Sequence, residues 1–449
     1  MKIVLNKVRI INPEQNLDEK NDILIENGII QKIGNLNKED LANAKVFELD
    51  GKICSPGLFD MHVHLREPGR EDTETIFTGS NAAAAGGFTG VACMPNTKPA
   101  IDSAEVVNFI KDKAETHLVD VYPIGAVSKE RKGEHLAPIA ELVTAGVVAF
   151  SDDGVAVKSA SLLRNALEYL KMYDLPIIEH CEDESLAGGA MNEGTVSTML
   201  GLPSIPTIAE DLTVMRDIAV AEYVGGRIHI AHISSKNSVQ LVREAKAKGL
   251  KVTAEVTPHH FTLTDESLIT YDSNYKMNPP LRTEEDVKAM IEGLKDGTID
   301  CIASDHAPHA IEEKEAEFIY APNGILGLET QLGLSLSELV HKNHLSINML
   351  IEKLAVNPRK ILNIPVPQFK TGEKANLTIF DPNEIWTVDL KKFKSKSKNS
   401  PFDKRLLTGK PIAVINNSKI YIDGNFIEIW CIFFYTIQLI TEYKINTNF

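Results

Sequence analysis

The sequence predicts an α/β fold: a (β/α)8 TIM-like barrel with a small flanking β-sandwich formed from the N- and C-terminal segments. Three observations carry that expectation. Eight short β-branched or apolar runs follow one another from Gly57 to His306, separated by stretches of helical periodicity. With their helices they cover about 300 residues, close to the roughly 250 of a closed eight-stranded barrel plus insertions. Strand-like patterns with turn residues flank that region on both sides. A doubly wound open sheet would also alternate strands and helices, but no GxGxxG follows a strand.

Residues 1–55 form the expected N-terminal part of the sandwich. Ile3, Leu5, Val8 and Ile10 lie in β-rich runs, and IENG followed by IIQKI reads as a hairpin turning at Asn27-Gly28. The barrel is expected over 56–365. Its runs are GLFDMHVH, FTGVACMP, VDVYPIGA, GVVAFSDD, LPIIEHCE, GRIHIAHI, KVTAEVTP and DCIASDH. Between them, Asp102 to Thr116 opens with Asp102 and Glu105 at capping-box spacing and sets Val106, Phe109 and Ile110 on one face. Ser159 to Tyr173 repeats the logic with Leu163, Ala166, Leu167 and Leu170. Residues 366–425 return to period-2 alternation in KANLTIFD and PIAVINNSKIYIDGN and supply the C-terminal part of the sandwich. The lysine-rich LKKFKSKSKNSPFDK reads as a solvated loop. Residues 426–449 form an atypical apolar tail. Its run from Ile427 to Ile440 is broken by Glu428 and Gln438 and falls short of the roughly 18–20 residues that span a bilayer.

Composition narrows the function. The chain has 449 residues, 43% apolar and 24% charged, an ordinary globular balance. Acids outnumber bases by 62 to 47, a net charge of −15, which argues against a nucleic-acid partner. The N-terminus has no apolar signal region, so neither membrane nor secretion is expected. Five scattered cysteines with no CxxC pair fit a reduced, cytoplasmic location better than a disulfide framework or zinc finger.

In a barrel of this kind, reactive groups sit at the C-terminal ends of the strands. His62 and His64 are two apart on the first strand, so their side chains leave the same face. Asp152 and Asp153 end the fourth strand, His180 the fifth, His232 the sixth and Asp305 the eighth. Any one of them alone is better read as a satisfied core histidine or a capping aspartate. Together, four histidines and at least two carboxylates converge on one mouth. Such donors suit zinc or another divalent transition ion and exceed what one tetrahedral site needs. Two metals sharing a carboxylate would also relieve the repulsion among Asp152, Asp153 and Asp305. Arg66, two beyond His64, should leave the same face, and its planar fork suits bidentate capture of a carboxylate. A surface ion pair for Arg66, and a purely turn-shaping role for Asn96, are the plainer alternatives.

The motifs DMHVHLREPG (Asp60–Gly69), MPNT (Met94–Thr97), SDDG (Ser151–Gly154), EHCED (Glu179–Asp183), AHIS (Ala231–Ser234), EVTPHHF (Glu255–Phe261), MNPPLR (Met277–Arg282) and SDHAPH (Ser304–His309) come in this order. With them the sequence resembles the amidohydrolase superfamily, and more closely the dihydroorotases of the longer bacterial type, from about residue 1 to 425. The resemblance implies that His62, His64 and Asp305 hold one metal and His180 and His232 a second. Asp153 would bridge them, a choice over Asp152 that rests on the family's pattern in SDDG. Two zinc ions per chain are implied, with weak or exchangeable binding of one left open. Hydantoinase-like relatives often bridge with a carboxylated lysine, but no lysine follows the fourth strand until Lys158. The implied substrate set is His64, Arg66, Asn96, Asn278, His309, Asn323 and Gly324, with Arg66, Asn96 and His309 on the carboxylate and Asn278 on the ring. His259 and His260 match no role and are read as packing or supporting residues. One departure is Asn323-Gly324, where the family usually shows Phe-Gly.

The implied activity is that of a zinc-dependent hydrolase of pyrimidine (UMP) biosynthesis: reversible cyclisation of N-carbamoyl-L-aspartate to (S)-dihydroorotate. A metal-bridged hydroxide would serve as nucleophile and Asp305 as general acid and base. The alternatives are another cyclic amidohydrolase (hydantoinase, dihydropyrimidinase or allantoinase), an inactive scaffold for aspartate transcarbamoylase, and a single-metal deaminase. The last would leave DDG, MPNT and MNPPLR unexplained. A homodimer and an aspartate transcarbamoylase partner stay open.

Overall fold

The computed structural model describes residues 1–429. The rest of the expected apolar tail, 430–449, lies outside them. Both ends of the described residues enter one nine-stranded sheet. Lys2–Asn12 pairs antiparallel with Leu17–Glu26 and parallel with Ala44–Glu48 and Ile53–Pro56. Ile53–Pro56 then pairs antiparallel with Leu377–Thr387, Cys54 opposite Ile379, and three further antiparallel strands run on to Asn425–Glu428. Alternation turns one side of each strand inward, so Ile3, Leu5, Ile23 and Ile25 share a buried core with Leu377, Ile379, Ile415 and Ile420. The Asn-Gly turn forms as expected, with φ of 52° at Asn27 and 76° at Gly28.

Each of the eight predicted barrel runs supplies a strand. The first three are Leu58–Val63, Phe88–Cys93 and Asp120–Pro123, the third continuing as Gly125–Ala126. Phe150–Ser151, Ile177–Glu179, Ile228–Ile230, Val252–Val256 and Cys301–Ile302 follow. Neighbouring strands pair in parallel. A bridge between Val63 and His306, with the His64 N–H donating to His306 O at 2.9 Å, brings the eighth strand back to the first. The strands are near-continuously buried, as a parallel sheet covered by helices requires.

The helix after the fourth strand runs Ala160–Leu170; Ser159 caps it, and Leu163, Ala166, Leu167 and Leu170 are buried. The expected Asp102 cap is not formed. The helix spans Ala104–Ala114 behind Ser103, and the Asp102 carboxylate instead accepts the Glu130 N–H at 2.7 Å. Its inward stripe is Val106, Val107, Ile110 and Ala114, which leaves Phe109 beside the stripe and 37% exposed. The lysine-rich segment is no free loop. Lys394, Lys396 and Lys398 are exposed, while the alternate residues Ser395, Ser397 and Asn399 are buried against the barrel. No helix among the described residues is long and apolar enough to cross a membrane.

Candidate active site

His62, His64, Asp153, His180, His232 and Asp305 are all buried and meet at the C-terminal mouth of the barrel. Two groups of potential ligand atoms share Asp153: His62 and His64 on one side, His180 and His232 on the other. Asp153 Oδ1 lies 3.4 Å from His62 Nε2 and 3.8 Å from both His180 Nδ1 and His232 Nε2. Asp305 Oδ1 lies 2.9 Å from His64 Nε2 and 3.6 Å from His62 Nε2. Asp152 faces away, its carboxylate accepting the Ser128 N–H at 3.0 Å and the Ser128 hydroxyl. The two aspartates follow the strand end at Ser151 and point to opposite sides. Lys158 is exposed and outside the cluster.

The electrostatics demand a compensating charge. Burial alone would lower the His62 pKa, but the charges of Asp153 and Glu255 outweigh it and lift it well above the ordinary value. Burial would raise the Asp153 carboxyl, yet His62 and its neighbours hold it well below the usual range. Such a cluster gathers protons where a cation would serve the same carboxylates. His62 Nε2, deep in the group, has no hydrogen-bond partner. The donor set, imidazoles and carboxylates with one carboxylate shared, therefore fits divalent transition ions.

The backbone is bent to present these groups. Three of the expected site residues adopt left-handed conformations rare outside glycine: Arg66 (φ 62°), His232 (φ 31°) and Asp305 (φ 46°). Strain of this kind persists where the surrounding structure enforces it, and it clusters at functional sites.

Beside the cluster, Arg66 Nε donates to Pro308 O at 3.1 Å, and its Nη2 stands 3.4 Å from His309 Nε2. Burial lowers the guanidinium pKa to about 10, so it stays charged at neutral pH. His309 is pushed down to about 3 by burial and by Arg66, and is neutral. Asn96 packs against the first group, its Oδ1 2.9 Å from His64 Nδ1 and its Nδ2 3.4 Å from Asp153. Asn278 Nδ2 donates to Glu182 at 3.0 Å, whereas its buried Oδ1 has no partner.

The comparisons with known proteins agree with this geometry. A family model described as Dihydro-orotase-like matches residues 51–238. The chain is 50% identical to the dihydroorotase of Syntrophus aciditrophicus over 422 residues, covering 94% of this chain and 99% of that protein. It is 51% identical to the dihydroorotase of Acetivibrio thermocellus, covering 92% and 97%. The chain belongs to the dihydroorotase family. Among solved structures, the L-hydantoinase (dihydropyrimidinase) of Arthrobacter aurescens is 25% identical with a TM-score of 0.82, covering 94% of this chain and 96% of that one. A D-hydantoinase (dihydropyrimidinase) from a Thermus species is also 25% identical, with a TM-score of 0.79 over 95% and 96%.

The departure expected at Asn323 falls in the loop beside His309. That side chain is exposed, and the loop meets His309 through the Asn323 carbonyl, 2.8 Å from Nε2, an atom any residue provides. Gly324 is constrained: at φ 119°, a Cβ there would fall 2.6 Å from Ala307 Cβ. His260 is a packing residue, bonded to Thr257 at 2.8 Å and Pro279 O at 3.0 Å, while His259 is buried with Nε2 unpartnered. Three residues with no assigned role also reach the site. Glu255 grips His62, Glu182 lies 3.6 Å from His180, and Arg131 donates to the carbonyls of Asp152 and Asp153. Glu255 and Glu182 stood inside quoted motifs, but nothing in their spacing marked them; Arg131 carried no signal.

Proposed function

We propose that this chain is a dihydroorotase, interconverting dihydroorotate and N-carbamoyl-L-aspartate at the barrel mouth. One observation carries the reading: a carboxylate-capturing guanidinium, Arg66 beside His309, adjoins a cluster in which two histidine pairs share Asp153. We assign His62, His64 and Asp305 to one zinc ion and His180 and His232 to a second, with Asp153 common to both. Bound there, such ions would supply a water that ionises near neutral pH and would polarise the scissile amide carbonyl.

The chain's own residues do the rest. Arg66, His309 and the Nδ2 of Asn96 take the substrate carboxylate, so one ring amide faces the cluster. The unpartnered Asn278 Oδ1 accepts a ring N–H. As the water oxygen joins the carbonyl carbon and the ring C–N bond opens, Asp305 takes the water's proton and returns it to the departing nitrogen. Cyclisation runs the same path backwards.

The likeness to hydantoinases favours a second reading, hydrolysis of a neutral cyclic amide. That substrate would leave Arg66 charged and unmatched, which disfavours it. The deciding experiment is dihydroorotate hydrolysis by the purified, zinc-supplemented protein, run beside dihydrouracil and allantoin with metal content measured. Turnover of dihydroorotate alone is expected. Turnover of dihydrouracil in its place would establish the second reading, and absence of both metal and turnover would make the protein a scaffold. We place it in the cytoplasm, a reading supported by Cys54, Cys93, Cys181 and Cys301, all free and buried. A homodimer and an aspartate transcarbamoylase complex are the assemblies to test by solution mass.

A further inference from the structure

The lysine-rich segment alternates in period two, exposed lysines against buried Ser395, Ser397 and Asn399, and its inward side is bonded throughout. Glu329 accepts the N–H groups of Lys394 at 2.8 Å and Ser395 at 3.1 Å, and Glu74 accepts that of Lys396 at 3.1 Å. Ser397 Oγ donates to Thr73 O at 2.7 Å. These anchors deliver Asn399 to a point between two loops. Its Oδ1 accepts the His309 N–H at 3.1 Å, and its Nδ2 donates to Ala307 O at 2.9 Å and Gly324 O at 3.1 Å. Its own carbonyl accepts the Leu326 N–H at 2.9 Å.

From the other side, the same loop is held by the amino groups of two lysines. Lys314, buried, donates to Pro322 O at 3.0 Å and Gly324 O at 3.1 Å; Lys276, also buried, donates to Ile319 O and Ala321 O, both at 2.7 Å. A run of backbone carbonyls is thus fixed by two lysine Nζ donors and one amide, with no carboxylate among those partners. The outcome is the 2.8 Å contact between Asn323 O and His309 Nε2, which orients the imidazole beside Arg66.

We propose that Asn399, with Lys276 and Lys314, forms a clamp that fixes the Asn323–Gly324 backbone against His309 and so sets how tightly the substrate carboxylate is held. Asn399 is a positioning residue, acting through His309. The carboxylate half of the statement rests on the function proposed above; the clamp itself does not.

The test uses the full, metal-loaded chain with Asn399→Ala and, separately, Lys314→Met. Each leaves buried partners unpaired, a loss that should raise KM for dihydroorotate about tenfold while kcat changes less than about threefold. Metal content should match the wild type, and amide hydrogen exchange across residues 319–326 should accelerate. Asn399→Asp keeps the acceptor but sets a charge against two carbonyls, so it should not rescue. Unchanged exchange in that loop overturns the clamp, whatever substrate the wild type turns over. Faster exchange with an unchanged KM overturns its role in carboxylate binding. A parallel fall of kcat and metal content reduces Asn399 to a general structural residue. If Asn399→Ala does not fold, Lys314→Met decides by the same readings. A wild type that does not turn over dihydroorotate removes the carboxylate reading, while exchange still decides the clamp.

Discussion

His62 Nδ1 lies 2.6 Å from Glu255 Oε1, so the Nδ1 proton is engaged there and Nε2 is the nitrogen that faces Asp153. Glu255 also contacts His229 Nε2 at 3.2 Å, which holds the carboxylate in place. A carboxylate behind a ligating histidine fixes its tautomer and orientation and raises its basicity. Glu255→Gln keeps the shape and removes the charge, so metal affinity should fall by about 10–100-fold. Zinc titration against a chelator checks this, and wild-type affinity in the variant would remove Glu255 from the metal centre.

Asp305 is the carboxylate expected to carry the proton. Replacing it with asparagine preserves size but abolishes proton uptake, so molecules that retain metal should lose roughly 10²–10⁴ in turnover. Single-turnover assays on metal-quantified protein provide the measurement. Near-normal turnover in metal-loaded Asp305→Asn would move the proton path elsewhere.

Arg66→Lys keeps the charge and loses the planar fork. With its Pro308 contact also gone, kcat/KM for dihydroorotate should drop on the order of a hundredfold, a loss of about 3 kcal/mol in transition-state binding. Dihydrouracil, which has no carboxylate, should respond far less. An equal loss on both compounds would mean that Arg66 acts on folding instead of recognition.

Stability should depend on pH through His117, which ties the barrel to the C-terminal strand Asn425–Glu428. Its Nδ1 accepts the Val119 N–H at 3.0 Å, so Nε2 carries the proton and faces Asn81 Oδ1 at 3.0 Å. Its ring lies edge-on to Phe77 and Phe426. Burial, then the Lys419 charge, lowers its pKa to about 4. The unfolded chain therefore binds the extra proton first, and stability falls as pH drops from about 6.5 towards 4, by up to about 3 kcal/mol. Urea midpoints at pH 7.5 and 5 should differ more in the wild type than in His117→Gln; equal differences would exclude the histidine as the cause.

Much of this molecule was legible in the sequence because barrel geometry repeats. Eight apolar runs gave eight strands, and residues at their ends met at one mouth since each strand is short and ends there. Asp153 could be told from Asp152 only by the family's pattern. The physical distinction is the Ser128 side chain that engages Asp152, a contact across 24 residues. Glu255 was equally hidden, because its partner His62 is 193 residues away and local spacing carries no trace of it. The lysine-rich stretch misled for another reason. Charge dominated the reading, although the serines and Asn399 already alternated with the lysines like an edge strand. Phe109 was misplaced by counting it with Val106 and Ile110, when Val107 takes the inward position.

The strand Ile53–Pro56 has a neighbour more than three hundred residues downstream, in Leu377–Thr387. Synthesis on the ribosome is vectorial, so that edge emerges early and waits for nearly the whole barrel to be made before it is closed. Until then it is an open template for another chain. The order of translation thus places the greatest hazard for this protein at its beginning and the remedy near its end. Any premature stop before residue 377 would release a chain with its adhesive edge uncovered.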